Sequence, residues 1–420
     1  MKSVNNAITA PPAAVRPNWL SRLARRLVLG KLAAIRSGCL AVEEGSERFL
    51  FGDTETPAVP RATIRVHDDN TYVQVLLNGT IGSGEAYMQG SWSSPDLVAV
   101  IRVMVANMDL IQDLDSRWSF AHKAVLKVLH TLNGNSRSGS RRNIAAHYDL
   151  GNDFFRLFLD PTMMYSAAVF PQAEATLEQA SMNKLERICQ KLRLQPSDHL
   201  LEIGTGWGGM AVYAARHYGC QVTTTTISRE QYEYAKALVA REGLEDKITL
   251  LLQDYRDLSG EYDKLVSIEM IEAVGHRYYR EYFSRCSRLL KDDGLMVIQA
   301  ITIPDQRFDS YRKQVDFIQR YIFPGGCLPS NQVIAQHIAE DTDMQIVALE
   351  DITRHYAQTL NAWRQAFRAS IDTVRQQGFD QRFINMWDFY LCYCEGGFLE
   401  RVISTAQFVF AKPRCPSPAL

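Results

Sequence analysis

Beyond about residue 143, short apolar runs alternate with longer stretches in which apolar residues recur every three or four positions. LLEIG (200–204), QVTTTTI (221–227), ITLLL (248–252), KLVSI (264–268), LMVIQAI (295–301) and QFVFA (407–411) have strand length. MAVYAARHYG (210–219) and REQYEYAKALVAREG (229–243) carry the helical period. Strands spaced by helices imply right-handed crossovers and a mainly parallel sheet, so the expected class is α/β. Two long aromatic-rich helical segments, 305–337 and 359–400, exceed what a minimal α/β domain needs. They are expected to be inserted cover for an apolar pocket.

The front of the chain has a different rhythm. Residues 37–110 mix strand-like runs, ATIRV (62–66) and YVQVLL (72–77), with the helical PDLVAVIRVMVANM (95–108), which predicts a small α+β domain. TLNGNSRSGSRRN (131–143) has linker composition. The expected division is therefore an N-terminal domain over 1–130, a linker over 131–142 and a catalytic α/β domain over 143–420. Residues 1–15 are small and Pro-containing and are expected to be loose. After them, WLSRLARRLVLGKLAAIR (19–36) places leucines at helical spacing, with Arg22, Arg25, Arg26, Lys31 and Arg36 between them. Such a helix either packs its Leu face on its own domain or lies on anionic lipid, and the two roles are compatible.

Charge narrows the class. The 420 residues hold 46 Lys plus Arg against 47 Asp plus Glu, a net charge of −1, which disfavours a nucleic-acid-coating protein. No run of about 18 apolar residues predicts a membrane span. Eight scattered Cys without a CxxC pair read as reduced thiols of a cytoplasmic protein, and no zinc-ligand spacing is present.

The strongest local motif is HLLEIGTGWGG (199–209). A strand should end at Ile203, and Gly204, Gly206 and Gly209 should form a tight turn into a helix, letting backbone approach a ligand. Nicotinamide, flavin and S-adenosylmethionine sites all use such a turn. Two details favour S-adenosylmethionine. Glu202 lies inside the motif, where an acid can organise the loop around a cationic ligand. A dinucleotide site wants an acid about 20 residues later, but the second strand ends in TTTTISREQ, with no acid before Glu230.

Seven motifs in order resemble the cyclopropane-fatty-acyl-phospholipid synthase and mycolic acid cyclopropane synthase family. They are HYDLGNDFF (147–155), MYSAAVF (164–170), LEIGTGWGG (201–209), TISREQ (226–231), LLQDYRDL (251–258), EMIEAVG (269–275) and YIFPGGCLPS (321–330). LLNGTIGSGEAYMQGSW (76–92) is similar, more weakly, to the family's N-terminal domain. The resemblance implies a Rossmann-like class I methyltransferase with a mainly parallel seven-stranded sheet and helical lipid-covering insertions. It implies that Tyr165 and Ser166 close over S-adenosylmethionine. Glu202, Gly204, Gly206, Trp207 and Gly208 would hold its methionine part, Thr226 and Gln231 its ribose, and Gln253, Asp254, Tyr255 and Arg256 its adenine neighbourhood. Glu272, Tyr356 and Cys394 match family active-site positions. Each also has a plainer role: a salt bridge for Glu272, packing for Tyr356, an inert core thiol for Cys394. No metal is implied.

Two departures bear on the chemistry. Many members carry a Cys after the Tyr-Ser pair and a His at the end of the fifth strand, which help hold a bicarbonate ion acting as base. This chain has Ala167 and Gln299 there, so bicarbonate dependence is in doubt. The implied reaction places a methylene unit on the cis double bond of phospholipid acyl chains by way of a carbocation. The cover aromatics (Phe308, Tyr311, Phe317, Tyr321, Phe323, Phe389, Tyr390, Tyr393) would exclude water and offer π-faces to the cation. The nearest alternative product is a methyl- or methylene-branched chain; more distant alternatives are a lipid-binding module with a decayed core and a small-molecule or RNA methyltransferase. The expected partner is a phospholipid with unsaturated chains, met at the inner face of the membrane by a cytoplasmic peripheral protein. A homodimer is compatible with this reading.

Overall fold

The computed structural model describes residues 19–56, 60–109, 139–140 and 150–416. The segment read as a linker and the opening of HYDLGNDFF lie almost entirely outside the described residues. In the front part, α1 (Trp19–Leu32) precedes β1 (Cys39–Glu44), β2 (Glu47–Gly52) and β3 (Arg61–Val66), followed by α2 (Asn70–Met88), β4 (Trp92–Ser93) and α3 (Leu97–Val105). The four strands form one sheet in the order β2-β1-β3-β4, with β1 and β3 parallel.

YVQVLL, expected as strand-like, is instead the first half of α2. Its β-branched residues suit a strand locally. However, the Asp68 carboxylate accepts from the Asn70 amide at 2.9 Å at the helix start, and Tyr72 and Leu76, four apart, both go into the core. Tertiary burial of one helical face overrides local propensity here. The helix predicted over 95–108 forms as α3, opened by the Asp96 carboxylate accepting from the Ala99 amide at 3.0 Å.

The second part begins with the short α4 (Asn152–Phe155) and α5 (Leu177–Leu192), the latter started by a Thr176/Gln179 capping box. The alternation then runs β5 (His199–Ile203), α6 (Gly209–Tyr218), β6 (Gln221–Thr226), α7 (Arg229–Arg241), β7 (Ile248–Leu252), β8 (Tyr262–Ile268), α8 (Tyr279–Leu289) and β9 (Leu290–Thr302). After it come α9 (Asp305–Tyr311), α10 (Phe317–Tyr321), α11 (Asn331–Asp341), β10 (Gln345–Asp351), α12 (Thr353–Ala369), α13 (Ile371–Gln376), α14 (Gln381–Leu399) and β11 (Ser404–Ala411). The sheet has seven strands in the order β10-β11-β9-β8-β5-β6-β7. β5 to β9 pair in parallel, and β10 and β11 run antiparallel at one edge. This is the expected class I methyltransferase fold. The hydrophobic runs did not mark β10, because it is the edge strand and most of its residues are exposed.

Apolar clusters cover the sheet, and a third core joins α12 and α14 to the front part of the chain. Glycine permits that junction. A Cβ on Gly84 of α2 would stand 2.5 Å from the Phe317 ring, and one on Gly396 of α14 would stand 2.6 Å from Ile101 of α3. Hydrogen bonds complete it: Tyr87 donates to Asp388 at 2.9 Å, and Arg102 pairs with Glu400 at 2.6 Å.

α1 packs inward through Ser21, Ala24, Val28 and Leu32. Leu20, Leu23 and Leu27 point outward with Trp19, which is 75% exposed. The leucine stripe is therefore split: Leu20, Leu23 and Leu27 do not serve the protein's own core, whereas Leu32 and Ile35 do.

Candidate active site

β5 ends at Ile203 and the chain turns through Gly204 and Gly206 at φ values of 101° and 52°, a region that favours glycine. A Cβ on Gly206 would project into open space, which is the cavity above the sheet's carboxyl ends. Such crevices are where α/β sheets take ligands. The cavity holds about 360 Å³.

Tyr165, Ser166, Glu202, Gly204, Gly206, Trp207, Thr226, Gln231, Gln253, Asp254, Tyr255, Arg256, Glu272, Tyr356 and Cys394 all line it. Gly208 does not. It caps α6 at φ 92°, and its Cβ position lies 3.2 Å from that of Ala235, so it serves the approach of α6 to α7.

At the nucleotide end, the contacts are short-range in the fold. Glu202 is buried and accepts from the Thr224 hydroxyl on neighbouring β6 at 2.7 Å. Burial pushes its carboxyl up to about 8, and the Thr224 bond offsets only part of that. A cationic ligand beside it would favour the charged form. Thr226 donates to the Gln231 side-chain oxygen at 2.9 Å. Asp254 holds Arg256 through both Nε (2.8 Å) and a terminal nitrogen (2.7 Å), a buried bidentate pair that fixes the loop after β7. Trp207 donates to Asn152 at 2.6 Å, tying the glycine turn to α4.

Across the cavity, Tyr165 and Tyr390 share a hydroxyl–hydroxyl bond of 2.9 Å. Ser166 accepts from the ammonium of Lys184 at 2.7 Å. Lys184 is fully buried on α5, and desolvation lowers its pKa to about 8 despite Glu269 and Asp160 nearby. The Tyr356 hydroxyl donates to Glu269 at 2.8 Å. One Glu272 oxygen accepts from the Ile301 amide, while the other, Oε2, is buried with no hydrogen-bond partner among the described residues. Burial first, then the negative charge of Glu269, pushes Glu272 up to about 8. The motif YIFPGGCLPS also shapes this end: the Cys327 amide donates to the Glu272 carbonyl at 2.8 Å.

The Cys394 thiol lies in the wall, where burial, reinforced by Asp316, pushes its pKa far above the usual thiol range. That environment favours the neutral thiol, as the plainer reading of Cys394 expects.

Lys184 and Glu269 were not picked out by motif. Lys184 left a sequence signal, a lysine on the apolar face of a helix between Ala180, Ser181, Leu185 and Ile188. Glu269 left none that separates it from Glu272.

Of the cover aromatics, Tyr311, Phe323, Tyr390 and Tyr393 line the cavity, with Ile318, Leu360, Phe398 and Ile403. Phe317 and Phe389 instead pack as a tilted pair with centroids 4.6 Å apart in the junction with α2, Tyr321 donates to Glu85 there at 2.5 Å, and Phe308 packs on the sheet core. The front part of the chain also reaches the cavity through Val105 and Met108. Among the described residues, no cluster of His, Cys, Asp and Glu could hold a metal, and no helix is long and apolar enough to cross a membrane.

Comparison with known proteins agrees with this geometry. The family described as mycolic acid cyclopropane synthetase matches residues 135–408. The chain is 39% identical over 380 residues, 88% of each protein, to tuberculostearic acid methyltransferase UfaA1 of Mycobacterium tuberculosis. It is 38% identical over 354 residues to the cyclopropane-fatty-acyl-phospholipid synthase of Escherichia coli K12, covering 84% of this chain and 88% of that one. Mycolic acid cyclopropane synthase CmaA1, solved with SAH and CTAB, superposes with a TM-score of 0.61 at 33% identity, over 65% of this chain and 98% of that one. The glycine turn open to the cavity, the buried acid beneath it and the apolar wall opposite thus belong to a member of the mycolic acid cyclopropane synthetase family, an S-adenosylmethionine-dependent lipid methyltransferase.

Proposed function

We propose that the chain transfers the methyl carbon of S-adenosylmethionine to the cis double bond of a phospholipid acyl chain and closes a cyclopropane ring. The observation that carries this reading is the single cavity in which the glycine turn, two adjacent carboxyl groups and a wall of Tyr, Phe, Leu and Ile side chains meet. An alkene is a weak nucleophile, so the sulfonium must be held in line with it and water kept out. The glycine turn and Thr226, Gln231 and Asp254 are suited to fix S-adenosylmethionine, and Leu360, Phe398 and Ile403 to fix the acyl chain. Attack leaves a cation on the neighbouring carbon, which the π-faces of Tyr390 and Tyr393 can stabilise. Loss of a proton from the new methyl closes the ring.

The likeness to a tuberculostearic acid methyltransferase favours a second product, a branched chain formed through the same cation. Cyclopropane and methylene-branched products have equal mass, so the test is proton NMR of lipids from a host with and without the protein. Upfield cyclopropane methylene signals support the first reading; their absence with new vinylidene or methyl signals supports the second.

The acyl chain must be reached in a bilayer. The outward face of α1, with Trp19, Leu20, Leu23 and Leu27 beside exposed Arg22 and Arg26, is suited to lie in an anionic membrane surface. Arg25 is engaged elsewhere, with Glu44 at 2.7 Å and Glu47 at 2.6 Å.

A further inference from the structure

We propose that Glu269 is the base that takes the proton from the transferred methyl group, so that this chain builds into its own fold the anion that ring closure requires. The proposal rests on the acyl-chain reaction put forward above.

Glu269 follows β8 directly. Its amide donates to the Gln299 carbonyl at 2.7 Å, which sets it beside the end of β9. It is one of four non-glycine residues among those described with positive φ, at 47°. That conformation costs on the order of 1–2 kcal/mol for an L-residue, and a glycine would avoid the cost. A strained residue at a cavity wall is where a function should be sought.

The carboxylate is held from three directions. Oε1 accepts from the Ala167 amide at 2.8 Å and from the Gln299 side-chain nitrogen at 2.8 Å. Oε2 accepts from the Tyr356 hydroxyl at 2.8 Å. Gln299 is itself fixed: its nitrogen also donates to the Ala167 carbonyl at 3.0 Å, and its oxygen accepts from Gln407 at 2.9 Å. A carboxylate offers about four lone-pair sites, so three donors leave capacity for one more proton. Glu269 lines the cavity, where that capacity is open to a ligand.

The two neighbouring acids are thereby given different work. Burial raises the Glu269 pKa above the ordinary carboxylate value, while the three donors and the buried ammonium of Lys184 oppose that rise. Glu272 has the Ile301 amide on one oxygen, no side-chain donor among the described residues, and a negative neighbour. Paired carboxyls pushed apart in this way divide into one anion and one neutral acid. Of the two, Glu269 is the better held anion. Ala167 and Gln299, the two positions that differ from many relatives, both bond to it and complete its cradle.

The electrons balance without another reactant. The alkene π pair forms a bond to the methyl carbon as the carbon–sulfur bond breaks, its electrons staying on sulfur to give S-adenosylhomocysteine. A carbon–hydrogen bond of that methyl then breaks. Its electron pair closes the third side of the ring onto the cationic carbon, and the proton passes to a Glu269 carboxylate oxygen. Tyr356 acts as a positioning residue through its bond to Oε2.

The test uses the full chain, dioleoyl phospholipid vesicles and S-adenosylmethionine in carbonate-depleted buffer. Wild-type protein should form product there and gain less than about twofold from added bicarbonate. Glu269→Gly removes the carboxylate and relieves the positive φ. Its turnover should fall about 100-fold or more, within the range contributed by a positioned base, while S-adenosylmethionine affinity by calorimetry stays near wild type. Formate or bicarbonate, small enough to enter the vacated space, should restore a measurable part of the rate. Glu269→Gln, which fills the space, should be equally slow and not rescued.

Wild-type turnover from Glu269→Gly in carbonate-free buffer would overturn the role of Glu269 while leaving the substrate reading intact. A wild-type enzyme that needs added bicarbonate would overturn it equally. No product from wild-type protein with bicarbonate present would sink the acyl-chain reading itself, and the proposed base with it.

Discussion

At the nucleotide end of the cavity, Glu202, Gly204, Gly206 and Trp207 come from one strand, its turn and the approach to one helix. At the carboxylate end, Glu269 meets Ala167 and Tyr356, which lie 102 and 87 residues away along the chain, and Gln299, which comes from the next strand. The first site is made by local backbone shape and the second by convergence of distant side chains. Damage to the first should appear in binding, and damage to the second in turnover.

The largest effect expected from that contrast is at Gly206. A valine there would occupy open cavity and demand a φ near 52° of a β-branched residue. Gly206→Val should weaken S-adenosylmethionine binding at least about 100-fold, or about 2.7 kcal/mol, by calorimetry. An affinity within threefold of wild type would mean the ligand lies elsewhere.

Next comes Glu272. An amide resembles a neutral acid more than a carboxylate, so Glu272→Gln should lower kcat only about tenfold, or about 1.4 kcal/mol of barrier, with S-adenosylmethionine affinity unchanged. A Glu272→Gln loss exceeding that of Glu269→Gly would reverse the assignment of anion and acid between the two.

A thermal measurement sharpens the comparison from both ends. Glu202 and Glu272 are each raised by burial from the ordinary carboxylate value of 4.5 to about 8 in the folded, ligand-free protein. The unfolded chain gives up these protons first. The stability they contribute is therefore complete below about pH 4.5 and lost progressively as pH rises to about 8. The Tm of the ligand-free protein should fall across that window by several degrees, and Glu202→Gln should flatten part of the fall. S-adenosylmethionine should release protons on binding at pH 7, as its positive charge favours ionised Glu202. A flat Tm profile in wild type, or calorimetric heats independent of buffer ionisation, would contradict the account of Glu202.

The smallest effect concerns α1. Reversing Arg22 and Arg26 to Glu should weaken co-sedimentation with anionic vesicles by about 1 kcal/mol per residue near the surface, less at high salt. Arg25→Glu should instead destabilise the fold, since it breaks the pairs with Glu44 and Glu47. Equal vesicle binding by wild type and the double variant at low salt would remove the membrane role of this face.

Several readings failed or fell short for one physical reason, that local pattern does not report partners. YVQVLL has strand-like residues, yet the face carrying Tyr72 and Leu76 is buried as a helix. β10 is real but exposed, so it lacks the apolar run that marks a buried strand. Gly208 sits in the glycine motif but serves helix packing. The cover segments form as helices, although half of the aromatics named there pack elsewhere than on the cavity.

The sequence by itself determined the alternation of strands and helices, the glycine turn, the acid below it and the family to which these belong. All of these are encoded by periodicity and by residues within one turn of each other. Only the tertiary structure decided which carboxylate is the better placed to carry charge. Glu269 and Glu272 lie three residues apart in EMIEAVG, and only Glu272 was marked by the family motif. They diverge because hydrogen-bond donors from Ala167, Gln299 and Tyr356 reach one, while a single amide reaches the other. Donor count and burial set the proton's place, and both are properties of the folded neighbourhood rather than of the chain.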